Sequence, residues 1–258
     1  MIKFSDTGHK YTSVVPDDRK WTSVTTLVSF CKEKFNDNIA YKNSTDPTSK
    51  WYGIAPDEIK QIWKNEATRS TDLGTWYHKK KEMEEIQKGA ITCVEDKGWK
   101  YALDQQLLPG VYPEFITYHP EYNICGQVDR LEVKEDSFCI DDYKSNKKID
   151  TQGFRGKRML PPVDHLDDCN LNHYALQLSI YAYMIKYHNP WLQIGKLTIK
   201  HVKFETNSLD KYGYPITKQT ENGDYVVESI TPIIVPYLEK EVVSILQEYQ
   251  KLHQNLSH

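Results

Sequence analysis

The stretch from Gly126 to Ser145, GQVDRLEVKEDSFCIDDYKS, constrains the fold more than any other part of the chain. Two runs that alternate apolar and polar residues flank a polar centre, the pattern of two strands joined by a turn. Yet acids and a lysine stand at the far ends of both runs, Asp129 in the first and Asp142-Tyr143-Lys144 in the second. Charge in a half-buried hairpin is expensive unless each charge meets a partner or a metal. With Glu135-Asp136 as a two-residue turn, Lys134 faces Ser137, and Asp129 comes opposite Asp142 with both side chains on one face. Lys144 shares that face, one two-residue step or about 7 Å further along. The turn has neither Gly nor Asn. A longer turn with the register displaced by one residue is therefore the alternative, and it breaks this geometry.

Two adjacent carboxylates raise each other's pKa unless a cation sits between them. A divalent ion resolves the repulsion, and oxygen donors favour Mg²⁺ or Mn²⁺ over zinc. A lysine beside them is no metal ligand. It can orient or deprotonate a water, or stabilise charge building on a phosphate. Asp, then Asp-x-Lys, is in outline a phosphodiester-cleaving arrangement.

The rest of the chain supplies the frame. At 258 residues with 27% charged side chains, it is long enough for a proper core and is not of disordered composition. Net charge is -3, so any attraction to nucleic acid must be local. Cys31, Cys93, Cys125, Cys139 and Cys169 form no CxxC pair, which argues against a zinc ribbon, an iron–sulfur cluster or a disulfide framework. No apolar leader opens the chain and no run approaches a membrane span, so a soluble, cytoplasmic, non-secreted protein without a membrane partner is expected.

In order, residues 1–20 are polar with β-prone pieces. A capped helix is expected from TSVTTLVSF toward Lys34, and a second from Pro56. After a break at residues 70–72, a third, LGTWYHKKKEMEEIQKG, ends near Gly89. WKYALDQQLL reads as helix, and PEFITYHP, ICGQVDRLEV and SFCIDDYKS as strands. Residues 146–172 read as loop, and NHYALQLSIYAYMIKYH as a helix with Leu176, Ile180, Met184 and Tyr187 on one stripe. KLTIKHVKFE is a strand and TENGDYVVESI a hairpin arm. PYLEKEVVSILQEYQKL is an amphipathic helix with Leu238, Val242, Ile245 and Tyr249 on its apolar face. The expectation is one α/β domain over 1–258, a central mixed sheet flanked by helices. Within it, a helical part spans about 20–108, a core about 109–205, and a hairpin with a helix about 206–258.

GQVDR followed thirteen residues later by DYK, from Asp129 to Asp142, resembles the core motif of the PD-(D/E)xK nucleases. The likeness is to the branch holding the RecB nuclease domain, the mitochondrial genome maintenance exonuclease and phage exonucleases. WTSVTTLV resembles that branch's SVT motif, LGTWYH its GTxxH segment and QLSIY its QxxxY motif, all in the family's order over about residues 20–185. YALQLSIYAY preceded by MLPP is similar to phage versions. The resemblance implies a restriction-endonuclease-like core and a metal-dependent DNA exonuclease acting in DNA replication, recombination or degradation. It implies Asp129, Asp142 and Lys144 as catalytic residues. His78, Asp129, Asp142 and the Tyr143 backbone carbonyl become ligands of one or two Mg²⁺ or Mn²⁺ ions, with Glu114 a further candidate. Gln177 and Tyr181, four apart on one helix face, become contacts to the DNA strand. The cysteine triplet of the iron–sulfur relatives is absent from this chain. DNA with a free end is the implied partner, with a single-strand annealing or recombination protein as a possible second one. A structure-specific or restriction-like endonuclease, or a DNA-end-binding accessory protein that does not cut, are the alternatives.

Each of these residues also has a plain structural explanation. His78 can be a polar residue on an exposed helix face, and Gln177 and Tyr181 ordinary helix residues. Glu82 either orients His78 or pairs with a lysine. Asp141 points away from Asp142, and Ser23 and Thr25 suit helix capping. The loop KSNKKIDTQGFRGKR places Lys147, Lys148, Arg155, Lys157 and Arg158 behind the motif, either as a track for a phosphate backbone or as a solvated surface.

Overall fold

The computed structural model describes residues 1–34, 36 and 38–255. In chain order, β1 (Ile2–Ser5), β2 (Lys10–Ser13) and β3 (Thr22–Ser23) precede the helices α1 (Val24–Ser29), α2 (Ile39–Thr45) and α3 (Pro56–Gln87). Strands β4 (Val94–Asp96), β5 (Trp99–Tyr101), β6 (Gly110–His119), β7 (Ile124–Val133) and β8 (Ser137–Lys144) follow. After α4 (Asn170–His188) come β9 (Gln193–Phe204), β10 (Thr206–Leu209), β11 (Pro215–Thr217), β12 (Val227–Val235) and α5 (Glu239–Asn255).

The architecture is α/β, a mixed sheet flanked by helices. Its six strands run β12-β9-β8-β7, with β6 along one edge of β7 and β3 at the start of the other. All pairs are antiparallel except β3–β7 and β8–β9. The parallel β8–β9 pair needs a crossover, and α4 supplies it. Leu176, Ile180 and Met184 of α4 are fully buried, and so are Leu178, Ala182 and Ile185, because α1 and α5 pack against this helix as well. Each such aliphatic side chain contributes roughly 1.5–3 kcal/mol. Tyr187, expected on the same stripe, is exposed instead. On α5, Val242, Ile245 and Tyr249 are buried as the pattern requires. Leu238 lies one residue ahead of the helix, with its N–H donating to Ser179 Oγ at 3.0 Å.

Helix α3 lies over the opposite face of the sheet, touching β6 and β8. Pro56 opens it, and Asp57 and Glu58 suit its positive end. The break expected at residues 70–72 does not occur. Thr71 turns its hydroxyl inward, donating to Ala67 O at 2.9 Å, so this cap-forming residue satisfies itself within the helix. The result is one rod of 32 residues, about 48 Å long.

One short strand, β5, followed by irregular chain stands where helix was expected in WKYALDQQLL. Lys97 and Gly98 both take positive φ, 49° and 75°, the geometry of a tight two-residue hairpin turn. That turn folds β5 back on β4, and β5 pairs with β1 to complete a small sheet, β2-β1-β5-β4. Ile2, Phe4 and Ala102 pack from it onto Ile116 and Cys125 of the main sheet. The internal boundaries shift accordingly. The 20–108 part contains β3, β4 and β5, and the C-terminal part splits, since β10 and β11 form a separate hairpin while β12 and α5 join the central layers. Among the described residues no helix is long and apolar enough to cross a membrane.

His119, at the end of β6, is 1% exposed, in a box formed by Tyr122, Tyr183 and Tyr187, the last with its ring 4.0 Å away. Burial pushes its pKa down to about 4, against the opposing pull of Glu121. Below about pH 6.5 the unfolded chain therefore binds a proton that the folded chain refuses until about pH 4, and stability falls across that window. His119→Phe keeps the ring without the titration. Between pH 7 and pH 4.5 the urea stability of wild type should drop by about 2 to 3 kcal/mol more than that of the variant. Equal drops would mean that the imidazole is not held neutral.

Candidate functional site

The site lies where β7 and β8 part. From the turn to Arg130–Asp141 they pair in the register that a two-residue turn demands, with the Lys134 N–H donating to Ser137 O at 2.8 Å. There the ladder ends. One step on, the Tyr143 N–H donates to Asp129 Oδ2 at 2.7 Å, a side chain where a strand carbonyl would ordinarily stand. Beyond the fork, β3 takes the edge of β7 at Ile124 and Cys125.

The other neighbour of β7 is distorted at the same level. Glu114 stands opposite Asp129, between the pairs Pro113–Arg130 and Phe115–Val128, and its φ is +50°. A left-handed glutamate inside a strand costs on the order of 1–3 kcal/mol and persists only where its surroundings enforce it. At this level the inward alternation slips by one. Tyr112 and Leu131 enter the main core before it, and Phe115 and Val128 after it. The slip frees both carboxylates from the apolar face and turns them toward α3.

His78 of α3 meets them. Its Nδ1 lies 3.5 Å from Asp129 Oδ1 and 3.7 Å from Glu114 Oε1. Its Nε2 lies 3.1 Å from Tyr143 O, and since a carbonyl only accepts, Nε2 donates. Burial works against the imidazolium, but Asp129 and Glu114 outweigh it and raise the pKa to about 9. The donor atoms of His78, Glu114 and Asp129 all fall within 4.8 Å of one another, close enough to share one cation. The Tyr143 carbonyl, expected as a ligand, is the group that orients His78 in this arrangement.

Asp142, also expected as a ligand, is paired with Lys144 in this arrangement. It is 1% exposed, and its Oδ2 lies 2.6 Å from Lys144 Nζ as an ion pair, without a hydrogen bond of ordinary geometry. Its Oδ1 receives only a long 3.4 Å contact from Gln177 Nε2. Burial raises the Asp142 pKa to about 6, with Asp129 adding to the rise and Lys144 opposing it. For Lys144, burial favours the neutral amine, but Asp142 and Asp129 prevail and raise its pKa, so it is a cation at neutral pH. The two aspartates lie one step past the last pair of the ladder and meet different partners, Asp129 the Tyr143 N–H and His78 of α3, Asp142 Lys144 and, from α4, Gln177.

The expected strand contacts divide. Tyr181 is buried at 4% exposure, its ring against Gly126, where an added Cβ would come 2.5 Å from Cε1. It is thus a packing residue that bonds Gln177 Nε2 at 3.2 Å, rather than a surface contact. In the basic loop, Lys148 pairs with Asp150 and Lys157 with Glu33, while Arg158 is held by Asp167 and His165 O. Arg155 lies over the exposed Phe154 ring. Lys147 alone of these five lines a cleft beside the site. Glu82 lies 3.8 Å from Lys100, Asp141 binds Arg130 and Lys200, and Ser23 caps α1. Sequence reasoning passed over Tyr174, whose ring sits 4.9 Å from Lys144 Nζ and whose hydroxyl donates to Asn146 Oδ1 at 2.7 Å. Its place three residues ahead of Gln177, on the same helix stripe, was the available signal.

Compared with protein-family models and with curated proteins, the chain matches none.

Removing one partner of a buried ion pair leaves the other charge stranded. Lys144→Met should lower stability in EDTA by about 3–5 kcal/mol, measured by urea unfolding at pH 8. Asp142→Asn combined with Lys144→Met should recover most of that loss, and the double-mutant cycle reports the coupling. A Lys144→Met protein as stable as wild type would refute the pairing.

Proposed function

We propose that this protein is a metal-dependent deoxyribonuclease, with attack from a free DNA end as the PD-(D/E)xK resemblance implies. The observation that carries the reading is the convergence of His78, Glu114 and Asp129 beside a buried Asp142–Lys144 pair. Two carboxylates and an imidazole suit Mn²⁺ or Mg²⁺, and the trio stays net negative even with the imidazole protonated. These three residues would hold the ion, with Asp142 able to join if Lys144 turns toward substrate. When bound, such an ion polarises a phosphoryl oxygen and lowers the pKa of a water.

The chain's own residues do the rest. Glu114 and Asp129 fix the place of positive charge, and Tyr143 O keeps His78 presented through Nδ1. Lys144 is already protonated, so it stabilises negative charge on a scissile phosphate instead of taking a proton from water. Tyr174 and Gln177 hold the Lys144–Asp142 pair from α4. A purely DNA-binding protein has no use for a half-buried lysine paired with an aspartate beside this cluster.

Two measurements test the reading. Mn²⁺ at about a hundredfold over its Kd should add about 2.7 kcal/mol to folding stability, and Glu114→Gln or Asp129→Asn should abolish the gain. Survival of the full gain in both variants would remove the cluster as the binding site. Linear DNA should be degraded with Mg²⁺ or Mn²⁺ and not in EDTA, while a covalently closed circle stays intact. His78→Ala, Asp129→Asn and Lys144→Ala should each lower the rate by about 10²-fold or more. Nicking of the circle favours the endonuclease alternative, and binding without cleavage under either ion leaves only the DNA-end-binding role.

A further inference from the structure

We infer that Asn146 presents its side-chain amide to the DNA phosphate next to the scissile one, as a phosphate subsite beside Lys144; the inference rests on the nuclease reading and names a group of the substrate that the site grips. Strand β8 ends at Lys144, and the chain leaves the sheet through Ser145, Asn146 and Lys147. Strand alternation carries over these first steps. Lys144 turns toward α4, with Asp142 as its partner and the centre of the Tyr174 ring 4.9 Å from Nζ. Ser145 turns toward α3, where a Cβ added to Gly74 would stand 3.5 Å from its Oγ. Asn146 turns back to the α4 side, and its Oδ1 accepts from the Tyr174 hydroxyl at 2.7 Å. One tyrosine thus meets both residues, Lys144 with its ring face and Asn146 with its hydroxyl.

Asn146 is held at both of its carbonyl oxygens. Its backbone oxygen accepts from His201 Nε2 at 2.7 Å, and His201, buried on β9, is the strand neighbour of Lys144. An asparagine side chain has one acceptor oxygen and, on the other branch of the same planar group, an NH₂ with two donors. With Oδ1 engaged by Tyr174, Nδ2 is directed away from that ring. It has no acceptor among the described residues, and Asn146 is exposed.

The tie to Tyr174 does not itself call for an amide. A carboxylate would accept the same hydroxyl more strongly, and it would stand between Lys144 and Lys147. The neutral amide instead keeps negative charge out of this place and leaves two donors in it. A phosphodiester suits such donors. It brings acceptor oxygens and no donor, and it carries the charge that Lys144 can take up in place of Asp142. Two residues span at most about 7 Å, against a rise of about 3.4 Å per stacked nucleotide, a spacing that suits successive phosphates of one strand. Asparagine is among the side chains that position a phosphate backbone without reading its sequence.

The test is binding of the full chain in EDTA, where cleavage is not required. The probe is a fluorescent DNA of about 16 nucleotides, offered as a single strand and as a blunt duplex and read by anisotropy. On the form that wild type binds more tightly, Asn146→Ala should weaken affinity about tenfold, the loss of one hydrogen bond to a charged group. Asn146→Asp keeps the acceptor for Tyr174 and should bind more weakly still, because a carboxylate repels the phosphate. Gln152→Glu adds the same charge to an exposed position of the same loop and should stay within about twofold of wild type. With Mg²⁺ and linear DNA, Asn146→Ala should raise KM and leave kcat within about threefold, since the phosphate it contacts does not react. Wild-type affinity in Asn146→Ala, or equal losses in Asn146→Asp and Gln152→Glu, overturns the subsite. So does a fall in kcat at unchanged KM, which would make Asn146 a support for Lys144 alone. A chain that loses affinity as stated but cuts nothing overturns the nuclease reading and leaves the subsite standing. A wild type that binds neither form overturns both.

Discussion

The bond from the Tyr143 N–H to Asp129 Oδ2, 2.7 Å long, is the interaction on which the site depends. Strands that separate inside a protein leave backbone donors without carbonyls, and an orphaned buried donor costs roughly 1–3 kcal/mol. Here a carboxylate receives the donor, so β8 can leave β7 at its C-terminal end without that penalty. The Tyr143 carbonyl is satisfied in turn by His78. Both backbone polar groups of one residue are thus completed by side chains from β7 and α3, which locks the helix to the fork. The acids at the ends of the hairpin are therefore structural members as well as chemical groups.

Two coupled charge groups meet at the fork. On the α3 side, two carboxylates crowd one imidazole, and their combined charge overcomes burial to raise the His78 pKa to about 9. On the α4 side, Asp142 and Lys144 balance each other in a drier place, where burial lifts the carboxylate to about 6. One surplus of negative charge stands beside one neutral pair. A divalent cation relieves the first, and a phosphate offers the lysine of the second an alternative partner.

The hairpin register was legible because strand side chains repeat every two residues and a two-residue turn leaves no freedom in the pairing. What could not be read was where the pairing stops. Asp129 and Asp142 sit on one face only if the ladder continues, and it ends one step short of them. Nor does the sequence announce the left-handed φ with which Glu114, a further ligand candidate in the sequence, reaches the cluster. The QxxxY spacing on a helix was legible, but the burial of Tyr181 depends on Gly126, 55 residues earlier, offering a hollow for its ring. The small sheet escaped because WKYALDQQLL has helix-forming residues, while the Lys97-Gly98 turn before it decides the outcome.

The expected break in α3 has the widest consequence. Cap-forming residues at 70–72 suggest two helices with a joint, and a joint would let His78 and Ile62 move independently. Because Thr71 bonds back to Ala67 O, the helix is a single rod anchored at one end by Tyr143 and at the other by the Trp51 and Ile59 cluster. The same cluster holds Tyr212 and Tyr214 of the hairpin turn. The position of the hairpin relative to the carboxylates is therefore set through one rigid element, not through the loop that connects the hairpin to β9. The hairpin and the carboxylates thus keep their alignment through one rigid helix, which a connecting loop alone would not hold.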